Sequence, residues 1–73
     1  MDRVIDQIVR RSIRHTQVLL KQGSYEWPVA RRALRKILSD LEARTPDDPS
    51  LARLRAFIAL KDRAWLRENP SIC

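Results

Sequence analysis

The sequence predicts an all-α protein, a small three-helix antiparallel bundle in a single domain of residues 1–73. Three observations support this fold class. Apolar residues recur at helical spacing in three segments, turn-forming residues separate the segments, and no segment shows the sustained alternation of a strand. The single glycine in the chain also leaves few positions for β-hairpin turns. Short connections between helices favour antiparallel neighbours.

The first helix is predicted over about 2–22. Lys21 suits the negative end of the helix dipole. Gly23 follows at once, and glycine is the residue favoured just past a helix C-terminus. The apolar side chains cover one broad side of this helix at about 100° per residue: Val4, Ile5, Ile8, Val9, Ile13, Leu19 and Leu20.

The second helix is predicted over about 28–44. Pro28 is favoured at a first helical position, and the residue before a proline, Trp27, is pushed out of the helical conformation. The face expected in the core comprises Ala30, Ala33, Leu34, Ile37, Leu38 and Leu41.

The third helix is predicted over about 49–68, after the break "TPDDP" and before a tail of residues 69–73. Asp48 is expected to cap this helix and Pro49 to begin it. Its core stripe comprises Leu51, Leu54, Ile58 and Trp65, with Phe57, Leu60 and Ala64 beside it.

A second and weaker apolar patch lies on the far side of the third helix and comprises Ala52, Ala59 and Leu66. A chain this short buries only about 60% of its unfolded surface. The patch therefore favours further burial, either in a homodimer or against another protein. The alternative is ordinary exposure, since isolated apolar side chains are common on protein surfaces.

The charge balance favours an anionic partner. The chain carries 15 Lys and Arg residues against 9 Asp and Glu residues, a formal net charge of +6. Such a balance favours association with nucleic acid, an anionic membrane or an acidic protein surface. No apolar run is long enough to span a membrane, and no secretory signal is recognisable. An intracellular location, in the cytoplasm or an organelle matrix, is expected.

Catalysis and metal binding receive little support from the residue types. His15 and Cys73 are the only histidine and cysteine, so neither a Cys/His metal cluster nor a disulfide within the chain can form. Nucleophilic catalysis needs a nucleophile held against a base, and no such set is evident. A chain of this length also leaves little room for a substrate cleft. We expect no enzymatic activity, cofactor or metal.

The second helix has an unusual charge order. Four cations crowd its first two turns, where the helix dipole prefers acids. Two pairs of them, Arg31–Arg35 and Arg32–Lys36, repel at the i,i+4 spacing by about 0.2–0.5 kcal/mol each. An anionic partner would relieve this repulsion. The residues predicted to bind the partner are Arg31, Arg32, Arg35, Lys36, Arg14, Lys21, Tyr25 and Trp27.

Two alternatives remain open for these residues. Glu26, Asp40 and Glu42 are acids close enough in sequence to neutralise the cluster within the folded chain. Trp27, predicted as an aromatic anchor for the partner, would otherwise plug the end of the bundle.

These features together predict a non-catalytic protein that binds a larger protein complex or an acidic protein surface. It would act as an accessory subunit, or as an inhibitor or regulator encoded by a phage or mobile element. The alternative is nucleic-acid binding, to RNA or DNA, through the same arginine-rich surface. Steep salt dependence would indicate that alternative.

Overall fold

The computed structural model of the protein describes residues 3–68 and confirms a three-helix bundle. The helices are α1 (Arg3–Lys21), α2 (Trp27–Arg44) and α3 (Ser50–Glu68). Wherever the structure describes a helix end, that end lies within one residue of its predicted position. Residue 2 of the first predicted helix and the predicted tail 69–73, with Cys73, lie outside the described residues.

A Schellman motif ends α1. The Ser24 amide donates to the Leu19 carbonyl over 3.0 Å, and the Gly23 amide donates to the Leu20 carbonyl over 3.1 Å. Gly23 has φ +75°, in the left-handed region that costs a residue with a Cβ about 1–2 kcal/mol. The predicted helix stop at glycine is therefore present, and it turns the chain sharply towards α2.

The second helix begins one residue earlier than predicted. Trp27 is already helical, and Glu26 precedes it in an extended conformation with φ −87° and ψ 153°. The prediction placed Trp27 outside the helix because it precedes a proline. In the structure, Trp27 is the first helical residue and Pro28 is the second. At the other end, the Thr45 amide and hydroxyl both donate to the Leu41 carbonyl, over 2.8 Å and 3.2 Å.

Asp48 caps α3, as predicted. Its Oδ1 accepts a hydrogen bond of 2.8 Å from the Ser50 amide, which satisfies one of the amides that a helix N-terminus leaves without an intrahelical partner.

The core forms where one stripe of each helix meets the other two, and every pair of helices is in contact. Leu34, Leu51, Leu54 and Val9 are the largest fully buried side chains. Ile13, Leu20, Ile37, Leu38 and Trp65 pack against this core while partly exposed.

Several residues expected in or beside the core lie outside it. Ala33, Leu60 and Ala64 are exposed, and so are Val4 and Ile8 on α1. The cause is geometric. Ala33 lies about 80° around the helix from the centre of the buried stripe of α2, at 100° per residue, and a helix in a small bundle has neighbours on one side only.

Ion pairs and hydrogen bonds show how the helices run. Asp6, near the start of α1, accepts a hydrogen bond of 3.2 Å from the hydroxyl of Ser50, which begins α3. These two helices are therefore parallel. Glu42, near the end of α2, pairs with Arg55 of α3 over 2.7 Å, while Trp27, which begins α2, bonds Asp62. The helix α2 is consequently antiparallel to α3, and by the same logic to α1.

Leu54→Ala tests the core against a matched exposed leucine on the same helix. Leu54 is 0% exposed and Leu60 is 62% exposed. Removing a buried leucine costs about 2–5 kcal/mol, so Leu54→Ala should lower the free energy of unfolding by that amount, as measured by urea unfolding followed by circular dichroism. Leu60→Ala should change it by less than about 0.5 kcal/mol. Equal effects would contradict this core.

The carboxylate of Asp6 should make stability depend on pH. A hydrogen bond from Arg10 is the main cause that lowers the pKa of Asp6 below its usual 3.8, with Ser50 and Arg53 adding to it and burial opposing it. A lowered folded-state pKa stabilises the fold above the unfolded pKa, and this contribution is lost as the pH falls through the folded pKa. Asp6→Asn should therefore unfold at a lower urea concentration than wild type at neutral pH, and the difference should shrink below pH 3.8.

The control for that experiment is Asp40→Asn, which changes an exposed carboxylate on α2 that makes no ion pair within residues 3–68. A difference between wild type and Asp6→Asn that stays constant down to the acid limit would show that the Arg10 contact does not stabilise the fold.

Candidate functional site

A groove of about 660 Å³ lies along the seam between α2 and α3, near the start of α2 and the end of α3. Every described residue that lines it belongs to one of these two helices. The α2 wall comprises Trp27, Pro28, Arg31, Arg32 and Arg35, and the α3 wall comprises Asp62, Trp65 and Leu66. The residues of each wall recur at spacings of three and four, so each set occupies one face of its helix.

Asp62 joins the two walls. Its Oδ1 accepts a hydrogen bond of 2.6 Å from Trp27 Nε1, and its Oδ2 accepts one of 3.0 Å from Arg31 Nε. The side chains of Arg31 and Asp62 are 44% and 30% exposed, so their ion pair is screened by water and contributes little by itself. Both carboxylate oxygens are nevertheless engaged, so Asp62 holds the Arg31 side chain against α3.

Trp27 lies in the core and not on the surface. It is 6% exposed and packs edge-on against Phe57, with ring centroids 6.4 Å apart and an interplanar angle of 80°. Lys61 Nζ lies 5.9 Å from the centroid of the same Phe57 ring. Little of Trp27 is accessible to a partner, and its burial fits the alternative in which it plugs the end of the bundle.

Two arginines on the rim of the groove lack an acidic neighbour. Arg32 and Arg35 are exposed and make no ion pair within residues 3–68. Glu26 and Asp40 do not neutralise them, and Glu42 pairs with Arg55 instead. Among the four cations Arg31, Arg32, Arg35 and Lys36, only Arg31 makes an ion pair within the described part of the chain, with Asp62 of α3. The rim therefore presents two guanidinium forks of the kind that bind carboxylate or phosphate bidentately.

The other predicted partner-binding residues do not line the groove. Lys36, Arg14 and Lys21 are exposed on their helices, and Tyr25 is 44% exposed in the connection between α1 and α2. Of the eight predicted residues, the structure thus brings four to the groove, Arg31, Arg32, Arg35 and Trp27, and it leaves the other four outside it. The groove residues Pro28, Trp65 and Leu66 form what we name its apolar floor.

Sequence reasoning missed the α3 wall. Trp65 was assigned to the core stripe, and it is half-buried at the edge of the core. Leu66 was assigned to a second apolar patch, and 43% of its surface is exposed in the groove. No sequence pattern singled out Asp62 as a site residue. A usable clue was the spacing of Asp62, Trp65 and Leu66, which puts an acid and two large apolar residues on one helix face.

A smaller groove of about 290 Å³ lies on α1 and is lined by Val4, Gln7, Ile8, Arg11 and Ser12. Within residues 3–68 there is no group of three or more His, Cys, Asp or Glu side chains able to hold a metal ion. None of the three helices is long and apolar enough to cross a membrane.

No protein-family model, curated protein or solved structure matches this chain.

Asp62→Ala should destabilise the protein by about 1–2 kcal/mol, because it leaves the partly buried Trp27 Nε1–H without an acceptor. Arg31→Ala removes only the exposed ion pair and should cost less than about 1 kcal/mol. Urea unfolding of both variants shows which substitution lowers the free energy of unfolding more. A larger loss for Arg31→Ala than for Asp62→Ala would show that the ion pair, and not the indole hydrogen bond, holds the two walls together.

Proposed function

We propose that the protein is a non-catalytic binding protein that docks onto a larger protein assembly through the groove between α2 and α3. The observation that carries this proposal is an apolar floor beside arginines that make no ion pair within residues 3–68. Trp65, Leu66 and Pro28 line the groove together with Arg32 and Arg35.

This combination resembles the centre of protein–protein interfaces, where aromatic residues and arginine are enriched. A few such residues usually carry most of the binding energy. Leu66 offers an apolar surface for an anchor side chain of the partner. Arg32 and Arg35 would orient the contact by pairing with carboxylates of the partner.

The composition of the groove favours protein over nucleic acid at this site. An exposed Leu66 gains nothing from a phosphate backbone, whereas it gains from burial against another apolar side chain. Asp62 also places a carboxylate within the groove, next to any phosphate that Arg31 would bind. A protein partner satisfies both the apolar floor and the cationic rim.

The lining residues also support binding over catalysis. Within residues 3–68 they include no His, Cys or Ser, and the one carboxylate among these described residues, Asp62, has both oxygens engaged. General acid–base work needs a group within reach of a substrate proton, and Asp62 already accepts two hydrogen bonds from the protein itself.

An accessory subunit and an inhibitor or regulator from a phage or mobile element would both use such a groove. The two roles differ in the effect on the partner. An accessory subunit sustains the activity of its assembly, whereas an inhibitor lowers it. The activity of the partner assembly with and without this protein distinguishes the two roles once the partner is known.

The groove is tested by co-purification of the tagged full chain from its host with nuclease present. Arg32→Gln/Arg35→Gln should lower recovery of a stoichiometric protein partner by at least about tenfold, because both arginines would be buried in the complex and loss of a buried charge partner costs about 2–5 kcal/mol. Leu66→Ser should have a similar effect, because it removes the apolar surface.

The matched control is Arg3→Gln/Arg14→Gln, which removes the same charge from α1 and should leave recovery of the partner within about threefold, because α1 contributes nothing to the groove and distant sites act independently. Recovery that is insensitive to both groove variants would contradict the proposed site. Recovery of nucleic acid alone, lost with Arg32 and Arg35, would favour the nucleic-acid alternative at this surface.

A further inference from the structure

A second cationic surface runs along the outer side of α1. Six residues at alternating spacings of four and three form one continuous stripe of that helix, and all six are exposed. This stripe, which we name the α1 row, comprises Arg3, Gln7, Arg10, Arg14, Gln17 and Lys21. It contains neither an acid nor an apolar residue.

The only acid of α1 leaves most of this charge unneutralised. Asp6 is turned towards α3, where it accepts a hydrogen bond from Ser50 and lies 3.9 Å from Arg53. It pairs with one member of the row, Arg10, over 2.8 Å. The other three cations of the row make no ion pair within residues 3–68.

The dimensions of the α1 row match those of a DNA groove. At about 1.5 Å per residue, its cations span about 27 Å, at intervals of about 10, 6 and 10 Å. An α-helix is about 10–12 Å wide with its side chains, and the major groove of B-form DNA is about 12 Å wide. The deep, narrow major groove of an RNA duplex does not admit a helix in this way.

We propose that the α1 row binds the phosphate backbone of duplex DNA, with α1 lying along the major groove. The four cations would contact phosphates along one edge of the groove, and Arg10 would do so in exchange for its ion pair with Asp6. Gln7 and Gln17 would add hydrogen bonds, since an amide side chain both donates and accepts. Contacts of this kind position a protein on DNA without reading much sequence.

Two other occupants fit the row less well. An acidic protein would find no apolar anchor in it, and such anchors carry most of the energy of protein interfaces. An anionic membrane would need a continuous apolar face to insert. The exposed Val4, Ile8 and Val18 lie beside the row, but Arg11 and His15 interrupt their stripe.

The α1 row and the α2–α3 groove share no residue, because no residue of α1 lines that groove. DNA binding by α1 therefore does not depend on the proposed protein-binding function, and variants of one surface serve as controls for the other.

The experiment is fluorescence anisotropy of a labelled DNA duplex titrated with the purified full chain over a series of salt concentrations. Four phosphate contacts predict a slope of log K against log[salt] of about −3 to −4. Arg3→Gln/Arg14→Gln should weaken binding by at least about tenfold at low salt and reduce the slope by about 2. The matched pair Arg32→Gln/Arg35→Gln carries the same net charge and should bind within about threefold of wild type, with its slope unchanged.

Circular dichroism of each variant verifies that the fold is intact, and Arg14→Gln/Lys21→Gln repeats the test with a second pair from the row. Equal losses for the row and groove variants would overturn the proposal, because they would show a response to net charge alone. It would also be overturned by an RNA duplex that binds as tightly as the DNA duplex, or by vesicles of anionic phospholipid that bind the chain more tightly than DNA does.

Discussion

The hydrogen bond from the Trp27 indole to Asp62 fixes the geometry on which the proposed binding groove depends. It forms at the point where α2 begins and α3 approaches its end, so it sets how closely these helices pack there. Trp27 fills the core beside Phe57 with its ring, and its one polar side-chain atom donates to Asp62 in a partly buried hydrogen bond. The position of Arg31 depends on the same carboxylate, because the second oxygen of Asp62 accepts a hydrogen bond from Arg31 Nε. The groove between the helices thus has a defined wall and floor without any disulfide within the chain.

The second constraint is the size of the bundle. Each helix has neighbours on one side only, so a single stripe of each is buried and the rest of its surface meets solvent. In this chain, the seam between α2 and α3 keeps an apolar floor with a cationic rim, and α1 keeps a row of Arg, Gln and Lys. Distinct surface chemistries on different helices are the basis of the two proposed binding sites.

Sequence reasoning predicted the elements well and the groove poorly. Gly23 and Asp48 act through the backbone within a few residues, so their roles follow from local sequence. The groove depends on two contacts between residues far apart in sequence, Arg31 with Asp62 and Trp27 with Asp62. Helical periodicity carries no information about which faces of two helices meet. Trp27 shows the same limit, since its position before a proline fits a surface anchor and a core plug equally well. Leu60 and Ala33 were misplaced because a periodic apolar pattern is wider than the stripe a three-helix bundle can bury.

The bridging carboxylate of Asp62 also bears on the entropy of association. Immobilising a long side chain at an interface costs about 0.5–1.5 kcal/mol. Arg31 is already restrained by Asp62 before any partner arrives, whereas Arg32 and Arg35 retain the rotational freedom of exposed side chains. A partner bound at the proposed groove would therefore meet one restrained arginine and two adaptable ones. Such a surface would tolerate carboxylates at varied positions on the partner, while the proposed apolar contact would fix the register.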